Sequence, residues 1–166
     1  MSHKLQITET FPYKAQDLMD IVMDAEGYKE MSQYLDRIDV TDKGENVKGV
    51  NAVIKTPFFS MHYGCDLQLC PPNVIKAAAT KSPFKEFYGE LTFNTLSDGT
   101  TQVDCNLNYA TGINPIAIMA AANMESLIKM GVNAARDYLA ENLEAVDTNV
   151  QQTPVSKGPS GFDPAP

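Results

Sequence analysis

In the stretch "TQVDCNLNYA", residues 101–110, apolar and polar side chains alternate without interruption. Successive side chains of a β-strand point to opposite faces of a sheet, so the pattern predicts a strand with one apolar and one polar face. Its apolar positions are Val103, Cys105, Leu107 and Tyr109. A sheet of this kind needs a covering layer on one side only.

A second stretch, "MHYGCDLQLC" at residues 61–70, alternates in the same way, with His62, Asp66 and Gln68 on its polar face. Its apolar positions are Met61, Tyr63, Cys65, Leu67 and Leu69. Five further strand-like runs cover residues 5–11, 37–42, 50–56, 74–80 and 86–95. Turn sequences such as "KGEN", "PPN" and "SDGT" separate the later runs, and short connections favour antiparallel neighbours. The sequence therefore predicts an antiparallel sheet of about seven strands.

Two short helices are predicted between the first and second strands. Pro12 leads into an amphipathic segment, and Gly27 follows it as a stop signal. A second helical piece, "YKEMSQYL", covers residues 28–35. The apolar positions of the first segment recur at helical spacing at Leu18, Ile21, Val22 and Ala25.

One long helix is predicted at residues 114–146, with Asn114 as its N-cap and Pro115 at the first helical position. One stripe of this helix can cover the sheet, and the opposite side carries polar residues. The polar side consists of Glu125, Lys129, Asn133 and Arg136. The stripe consists of Ala120, Met124, Leu127, Gly131, Ala134 and Tyr138.

These elements predict one α+β domain over residues 1–146, in which a curved antiparallel sheet wraps around the long C-terminal helix. The segment 147–166 carries four prolines, two glycines and only three strongly apolar side chains. Such a composition cannot bury enough surface to offset the entropy lost on ordering, so a disordered tail is expected.

Charge and cysteine content narrow the classes of function. The net charge of −8 argues against binding to DNA, which requires a basic surface. The three cysteines have no CxxC spacing and are expected to be free thiols in a reducing cytoplasm. The chain has no apolar run long enough to span a bilayer, and its N-terminus lacks the apolar core of a secretory signal. A cytoplasmic location is therefore expected.

Catalytic and metal-binding patterns are sparse in this sequence. His62 and Asp66 share the polar face of their strand, where a solvated pair is expected, and His3 lies near the terminus. No zinc motif or phosphate-binding glycine pattern occurs. The inward polar groups are Tyr63, Tyr109, Tyr138, Cys65 and Cys105, with no inward acid or histidine evident to move protons. We therefore expect no metal, no cofactor and no catalytic residue, and enzyme activity is the weaker hypothesis.

Three segments of the chain resemble a known superfamily. The first runs from Phe11 through Tyr13 and continues with Leu18, Val22, Asp24, Glu26 and Tyr28. The second contains Pro83, Phe84, Lys85, Gly89 and Phe93, and the third is "DGTTQVDCNLNY", residues 98–109. Together they resemble the START-like, or SRPBCC, superfamily with its helix-grip fold. Within it, they are most similar to the coenzyme Q-binding and ribosome-association-toxin family, which is polyketide cyclase/dehydrase-like. The chain departs from that pattern at Leu91, where a tryptophan is expected, and at Cys105, where a phenylalanine is expected.

The resemblance covers roughly residues 4–140 and implies a lipophilic cavity between the sheet and the last helix. Periodicity alone favours a filled core, so the expectation of a cavity comes from the resemblance. It implies non-catalytic binding or chaperoning of a hydrophobic molecule, such as a polyprenyl quinone or a related lipid. The expected ligand-binding residues are Met61, Tyr63, Cys65, Leu67, Phe87, Leu91, Phe93, Cys105, Leu107, Tyr109, Met119, Met124 and Leu127.

Two other functions stay open on the same resemblance. One is a toxin-like interaction protein that associates with ribosomes, against which the acidic balance weighs. The other is a small polyketide cyclase or dehydratase that uses tyrosine hydroxyls. A transient contact with a membrane surface is compatible with the lipid-binding hypothesis.

Overall fold

The computed structural model describes residues 2–57 and 59–147. Apart from Asp147, the predicted tail lies outside these ranges. The elements follow the predicted order, namely one strand, short helices, six strands and a C-terminal helical region. Their bounds are β1 Ser2–Phe11, α1 Ala15–Met23, a 3-10 turn Ala25–Gly27, α2 Tyr28–Met31, β2 Leu35–Gly44, β3 Val47–Lys55, β4 Ser60–Cys70, β5 Val74–Lys81, β6 Glu86–Thr95, β7 Thr101–Ala110, α3 Pro115–Ala122 and α4 Met124–Asn142.

All seven strands form one antiparallel sheet in the order β1-β7-β6-β5-β4-β3-β2. Each strand from β2 to β6 pairs with the next one along the chain, because short turns join them. β1 closes the arrangement by pairing with β7, where Leu5 lies opposite Leu107. The α+β helix-grip prediction is thereby confirmed, with β1 and β2 as the two edges of the curved sheet.

The predicted faces of the alternating strands agree with the observed burial. In β7, Leu107 and Tyr109 are buried, whereas Asn108 between them is exposed. In β4, Leu67 is buried and Gln68 is exposed. The apolar face of the sheet therefore points toward the helices.

The C-terminal helical region differs from the prediction because it consists of two helices separated at Asn123. The Asn123 side-chain amide donates a hydrogen bond to the Met119 carbonyl oxygen at 3.0 Å. In a regular α-helix the Asn123 backbone N–H would donate to that oxygen, but here it donates to the Ala120 carbonyl instead. Asparagine competes in this way for backbone groups, which disfavours it inside helices. The predicted N-cap is confirmed, since the Asn114 side chain accepts hydrogen bonds from the N–H groups of Ile116 and Ala117.

The two early helices are also shorter than predicted. α1 ends at Met23, because Asp24 leaves helical geometry with φ −88° and ψ 70°. The segment Ala25–Gly27 then forms a separate 3-10 turn, and α2 ends at Met31. Met19 was not among the apolar positions predicted for the first helix, but it is buried beside Leu18.

Arg136 corrects a second expectation, because it does not lie on a purely solvent-facing side. Its guanidinium donates hydrogen bonds to the Glu9 carboxylate at 2.6 Å and to the Thr10 carbonyl at 3.1 Å. The same group lies 4.3 Å from the centre of the Phe11 ring. A long arginine side chain can reach around a helix in this way, so Arg136 ties α4 to the edge strand β1.

Three packed clusters fill most of the interior. One closes the end of the sheet under α1, and Thr101 donates a buried hydrogen bond to the Tyr13 carbonyl there at 2.7 Å. A second lies between β6, β7 and α3, and a third lies beneath the 3-10 turn. No helix within residues 2–57 and 59–147 is long and apolar enough to cross a membrane.

Candidate functional site

A cavity of about 780 Å³ lies between α4 and the β2–β4 side of the sheet. The three packed clusters leave this volume unfilled, and it opens to solvent. Ligand pockets in proteins usually measure about 300–1,000 Å³. The residues that line it are Glu30, Met31, Ser32, Gln33, Tyr34, Leu35, Ile54, Thr56, Phe59, Met61, Tyr63, Phe84, Phe87, Ala120, Met124, Leu127, Met130, Gly131, Asn133, Ala134, Asp137, Tyr138 and Glu141.

The sheet side of the cavity is an aromatic and thioether wall. The rings of Tyr63 and Phe87 meet edge to face with centroids 5.8 Å apart, and Phe84 lies 5.1 Å from Phe87. Met61 continues this wall along β4, opposite Ile54 on β3. Aromatic rings give a rigid apolar surface, and methionine adapts to irregular shapes. The wall can therefore accept an apolar guest of variable outline.

A tight turn and a short loop carry side chains into the cavity from the other strands. The Phe59 N–H bonds the Thr56 hydroxyl at 3.0 Å, which closes the turn between β3 and β4. The Lys55 N–H donates to the Tyr34 carbonyl at 2.7 Å, and the Tyr34 N–H bonds the Ser32 hydroxyl at 3.2 Å. These bonds fix the backbone at Phe59 and Tyr34, which both line the cavity.

The helix side of the cavity includes small residues among larger ones. A Cβ atom placed on Gly131 would meet no protein atom within 4 Å. Ala134 follows three residues later, so it lies on the same side of α4. Gly131 lines the cavity, and no neighbouring side chain fills the space beside it.

Two buried groups near the wall stay uncharged at ordinary pH. Burial, together with the neighbouring Cys65 thiol, raises the pKa of Tyr63 well above its usual value. Burial also raises the pKa of Cys65 to about 11, although its hydrogen bond with Tyr63 acts in the opposite direction. The Tyr63 phenol is therefore a neutral hydrogen-bond donor that can orient a carbonyl oxygen.

The opening of the cavity carries carboxylates, which corrects the expectation that no acid faces inward. Glu30 on α2, and Asp137 and Glu141 on α4, line the cavity and are exposed. Asn133 also lines it, although the helical pattern had placed this residue on the opposite side. We refer to Glu30, Asp137 and Glu141 as the acidic mouth.

His3 and Glu9 also lie on the inner face of the sheet. His3 pairs with Tyr109 across the strands, and their rings stack with centroids 5.1 Å apart. Glu9 on β1 lies opposite Val103 on β7, and its carboxylate accepts a hydrogen bond from Arg136. Neither residue lines the cavity.

Five of the predicted ligand-binding residues line the cavity, namely Met61, Tyr63, Phe87, Met124 and Leu127. The other eight occupy different places. Met119 is partly exposed on α3. The remaining seven pack in the clusters, with Cys105, Leu107 and Tyr109 near Phe84, Cys65 and Leu67 beneath the 3-10 turn, and Leu91 and Phe93 under α1. Their contact with a ligand stays a prediction.

Several lining residues were missed at the level of sequence. Ile54 alternates within its strand and could have been assigned inward, since it pairs with Met61. Residues 30–35 join a helix to a strand, so no single period describes them. Phe59 lies in a turn, where periodicity gives no direction. Only the folded chain brings these three groups to one opening.

The predicted polar face of β4 lies on the outer side of the sheet, away from the cavity. Asp66 forms an ion pair with Lys43 at 2.8 Å rather than a dyad with His62, and all three side chains lie outside the cavity. Among residues 2–57 and 59–147, no group of three or more His, Cys, Asp or Glu side chains is arranged to hold a metal ion.

Comparison with known proteins agrees with this architecture. The sequence profile of the family described as polyketide cyclase / dehydrase and lipid transport matches residues 11–136, which is most of the chain. The chain belongs to this family. Among curated relatives of this family member, the ribosome association toxin RatA of Pseudomonas aeruginosa is 23% identical over 109 residues, covering 66% of this chain and 76% of RatA.

Solved structures share the fold of this polyketide cyclase/dehydrase family member. The START superfamily protein from Mycobacterium smegmatis superposes with a TM-score of 0.73 at 12% identity, covering 85% of this chain and 99% of that one. The Zhui aromatase/cyclase from Streptomyces sp. R1128 gives 0.70 at 13% identity, covering 96% and 99%. Both comparisons support the helix-grip fold, and family and fold together indicate a protein that binds hydrophobic ligands.

Proposed function

We propose that this protein binds and carries a hydrophobic small molecule, such as a polyprenyl quinone or a related lipid, without altering it chemically. The observation that carries the proposal is the open cavity of about 780 Å³ between the aromatic wall and α4. A filled core would leave no such volume, because protein interiors pack as densely as organic crystals.

The distribution of polarity suits an amphipathic guest with one polar end. An isoprenoid tail can lie along Met61, Phe87 and Met124, which are apolar and belong to three different elements. The Tyr63 phenol can donate a hydrogen bond to a quinone carbonyl. Each methylene that leaves water contributes about 0.8 kcal/mol, so even a short tail supplies useful affinity before the ordering cost.

Solvent extraction of the purified protein, followed by mass spectrometry, tests the proposal. A short-tailed quinone analogue is then titrated into the stripped protein and into two matched variants. Ala134→Leu places a larger side chain in the cavity and should weaken binding. Ala140→Leu adds the same atoms at an exposed position outside the cavity and should leave binding unchanged. Absence of a bound lipid, together with no analogue binding, would refute the proposal.

A transient membrane contact is part of the same proposal, because a lipid carrier must collect its cargo. Helix α3 exposes Ile118, and Ile113 just before it is 95% exposed. Residues 111–123 contain no charged side chain, although the whole chain has a net charge of −8. An uncharged apolar surface fits the interface of a bilayer. We also propose the cytoplasm as the compartment, since Cys65, Cys70 and Cys105 are all free thiols.

Ribosome association is a second candidate, and the match to RatA favours it. The two functions separate in a cosedimentation experiment with ribosomal subunits at low salt. Sedimentation with one subunit, abolished by added salt, would support the second candidate. A protein that stays in the supernatant while it retains the quinone analogue supports the carrier.

A cyclase reaction is a third candidate, favoured by the carboxylates and the Tyr63 phenol that line one cavity. Aromatase/cyclases share the fold. Turnover of a poly-β-keto substrate that Tyr63→Phe abolishes, while the melting temperature stays unchanged, would replace the carrier proposal with an enzymatic one. Unchanged substrate after long incubation supports simple binding.

A further inference from the structure

Three exposed carboxylates line the cavity and come from two elements. Glu30 belongs to α2, whereas Asp137 and Glu141 lie one turn apart on α4. α2 packs against α4, so the two elements face one opening. All three side chains are exposed. A guest in the cavity therefore lies beside three exposed carboxylates.

The acidic mouth lies in a cavity lining that carries no basic side chain within the described part of the chain. Among the cavity-lining residues of the described ranges, none is lysine, arginine or histidine. Within those ranges, Glu30, Asp137 and Glu141 take part in no ion pair, in contrast to other acids nearby. Glu125 pairs with Lys129 at 3.0 Å and Glu9 pairs with Arg136 at 2.6 Å.

Asp137 and Glu141 also have an unfavourable position within their helix. Like charges four residues apart repel each other along a helix. Both residues lie near the C-terminal end of α4, where the helix dipole disfavours anions, and the last turn contains no basic residue. Helix stability therefore gives no reason for carboxylates at these two positions.

We propose that the acidic mouth selects the occupant of the cavity by charge. The ligand is an amphipathic molecule with a cationic or uncharged polar end, whereas carboxylate- and phosphate-headed lipids are disfavoured. This inference rests on the proposed function, because it concerns the same cavity. It narrows the ligand class from any hydrophobic molecule to those without a negative head group, and a neutral quinone belongs to that class.

The expected preference follows from the size of ordinary ion pairs. One exposed carboxylate attracts a nearby ammonium group only weakly. Three carboxylates beside the same cavity add their attractions for a cationic head group, and they repel an anionic head group instead. We expect an ammonium head group to bind about tenfold or more tightly than a carboxylate on the same tail. Because the carboxylates are exposed, added salt should shrink this ratio.

A matched series of ligands tests the inference. Dodecylamine, dodecanol and dodecanoate, each below its aggregation concentration, compete with the neutral fluorescent probe N-phenyl-1-naphthylamine for the cavity at pH 7. The expected order of affinity is amine, then alcohol, then carboxylate. The triple variant Glu30→Gln, Asp137→Asn, Glu141→Gln should bring the three affinities together. Its melting temperature should be equal to or higher than that of the wild type.

A second triple variant controls for the change in net charge. Asp17→Asn, Glu45→Gln, Glu125→Gln removes three acids that do not line the cavity, and should keep the wild-type order. Equal affinities in the wild type, or tighter binding of dodecanoate, would overturn the inference and leave the carrier proposal intact. Failure of all three ligands to displace a bound probe, or of the probe to bind, would overturn the carrier proposal with it.

Discussion

The hydroxyl oxygen of Tyr138 on α4 lies 3.3 Å from the point where a side chain on Gly27 would place its Cβ atom. Gly27 has ordinary helical geometry, with φ −73° and ψ −12°, so its backbone does not require glycine. The close approach of the Tyr138 hydroxyl is therefore the feature that favours glycine here. This contact also brings α4 next to the 3-10 turn at one end of the cavity.

A double-mutant cycle between Gly27 and Tyr138 should show this contact as an interaction energy. Gly27→Ala alone should change the free energy of unfolding little, because lower entropy of the unfolded chain is offset by crowding against the hydroxyl. In the Tyr138→Phe background the crowding is gone, so the same substitution should stabilise by about 0.4–1 kcal/mol. Urea unfolding measures all four variants. Equal effects of Gly27→Ala in both backgrounds would contradict this reading.

Gly131→Ala should make the protein more stable and a poorer ligand binder. A glycine inside a helix costs about 0.5–1 kcal/mol relative to alanine, and here the added methyl group would meet no protein atom. The methyl group would instead occupy cavity space. Ser126→Ala on the exposed side of α4 is the control, and should raise stability without affecting binding. Unchanged affinity for the quinone analogue in Gly131→Ala would show that the ligand lies elsewhere.

Removal of Arg136 should destabilise the protein more than removal of Lys129. Arg136 donates hydrogen bonds to Glu9 and to the Thr10 carbonyl, and its guanidinium covers the Phe11 ring. The side chains of Arg136 and Glu9 are 37% and 34% exposed. The Lys129–Glu125 pair is 62% and 63% exposed. We expect Arg136→Ala to cost about 1–2 kcal/mol and Lys129→Ala about 0.3 kcal/mol, measured by chemical unfolding. Similar costs would mean that α4 is not tied to β1 by this residue.

Stability should fall as the pH rises above about 9. Burial raises the pKa of Cys65 to about 11 in the folded chain, against about 9 for an ordinary thiol. Between these two pH values the folded state keeps a proton that the unfolded state has lost. The contribution of the Cys65 thiol to the free energy of unfolding is therefore complete below pH 9 and disappears toward pH 11. Burial raises the pKa of Cys105 as well, so Cys65→Ala should reduce the slope without abolishing it. An unchanged slope in Cys65→Ala would refute this assignment.

The apolar surface before and on α3 should promote contact with neutral lipid. Liposomes of phosphatidylcholine should carry the wild-type protein upward in a density gradient. The double variant Ile113→Ser, Ile118→Ser should lose this association, while its melting temperature changes little because both side chains are exposed. Leu96→Ser, at an exposed turn between β6 and β7, is the control. Equal flotation of wild type and double variant would remove α3 from the proposal.

Local sequence patterns predicted the strands and their order along the chain. Alternation assigned the faces of β4 and β7, and the turn residues between the strands favoured antiparallel pairing, which the structure confirms. The capping of α3 was also local, because Asn114 bonds N–H groups only two and three residues away. Strand faces, turns and the helix cap were predictable because each depends on residues that are close together in the chain.

Which residues reach the cavity depends on contacts between distant parts of the chain, as does the reach of Arg136 to β1. The break at Asn123 is local, because its side-chain amide bonds the Met119 carbonyl four residues earlier, but the apolar period of the predicted helix did not indicate it. Periodicity predicted an apolar inner face but could not divide it into clusters that pack and a part that stays open. That division depends on how far α4 lies from the sheet, and contacts between residues distant in sequence determine this separation. The acidic mouth has the same origin, because Glu30 meets Asp137 and Glu141 only after α2 packs against α4.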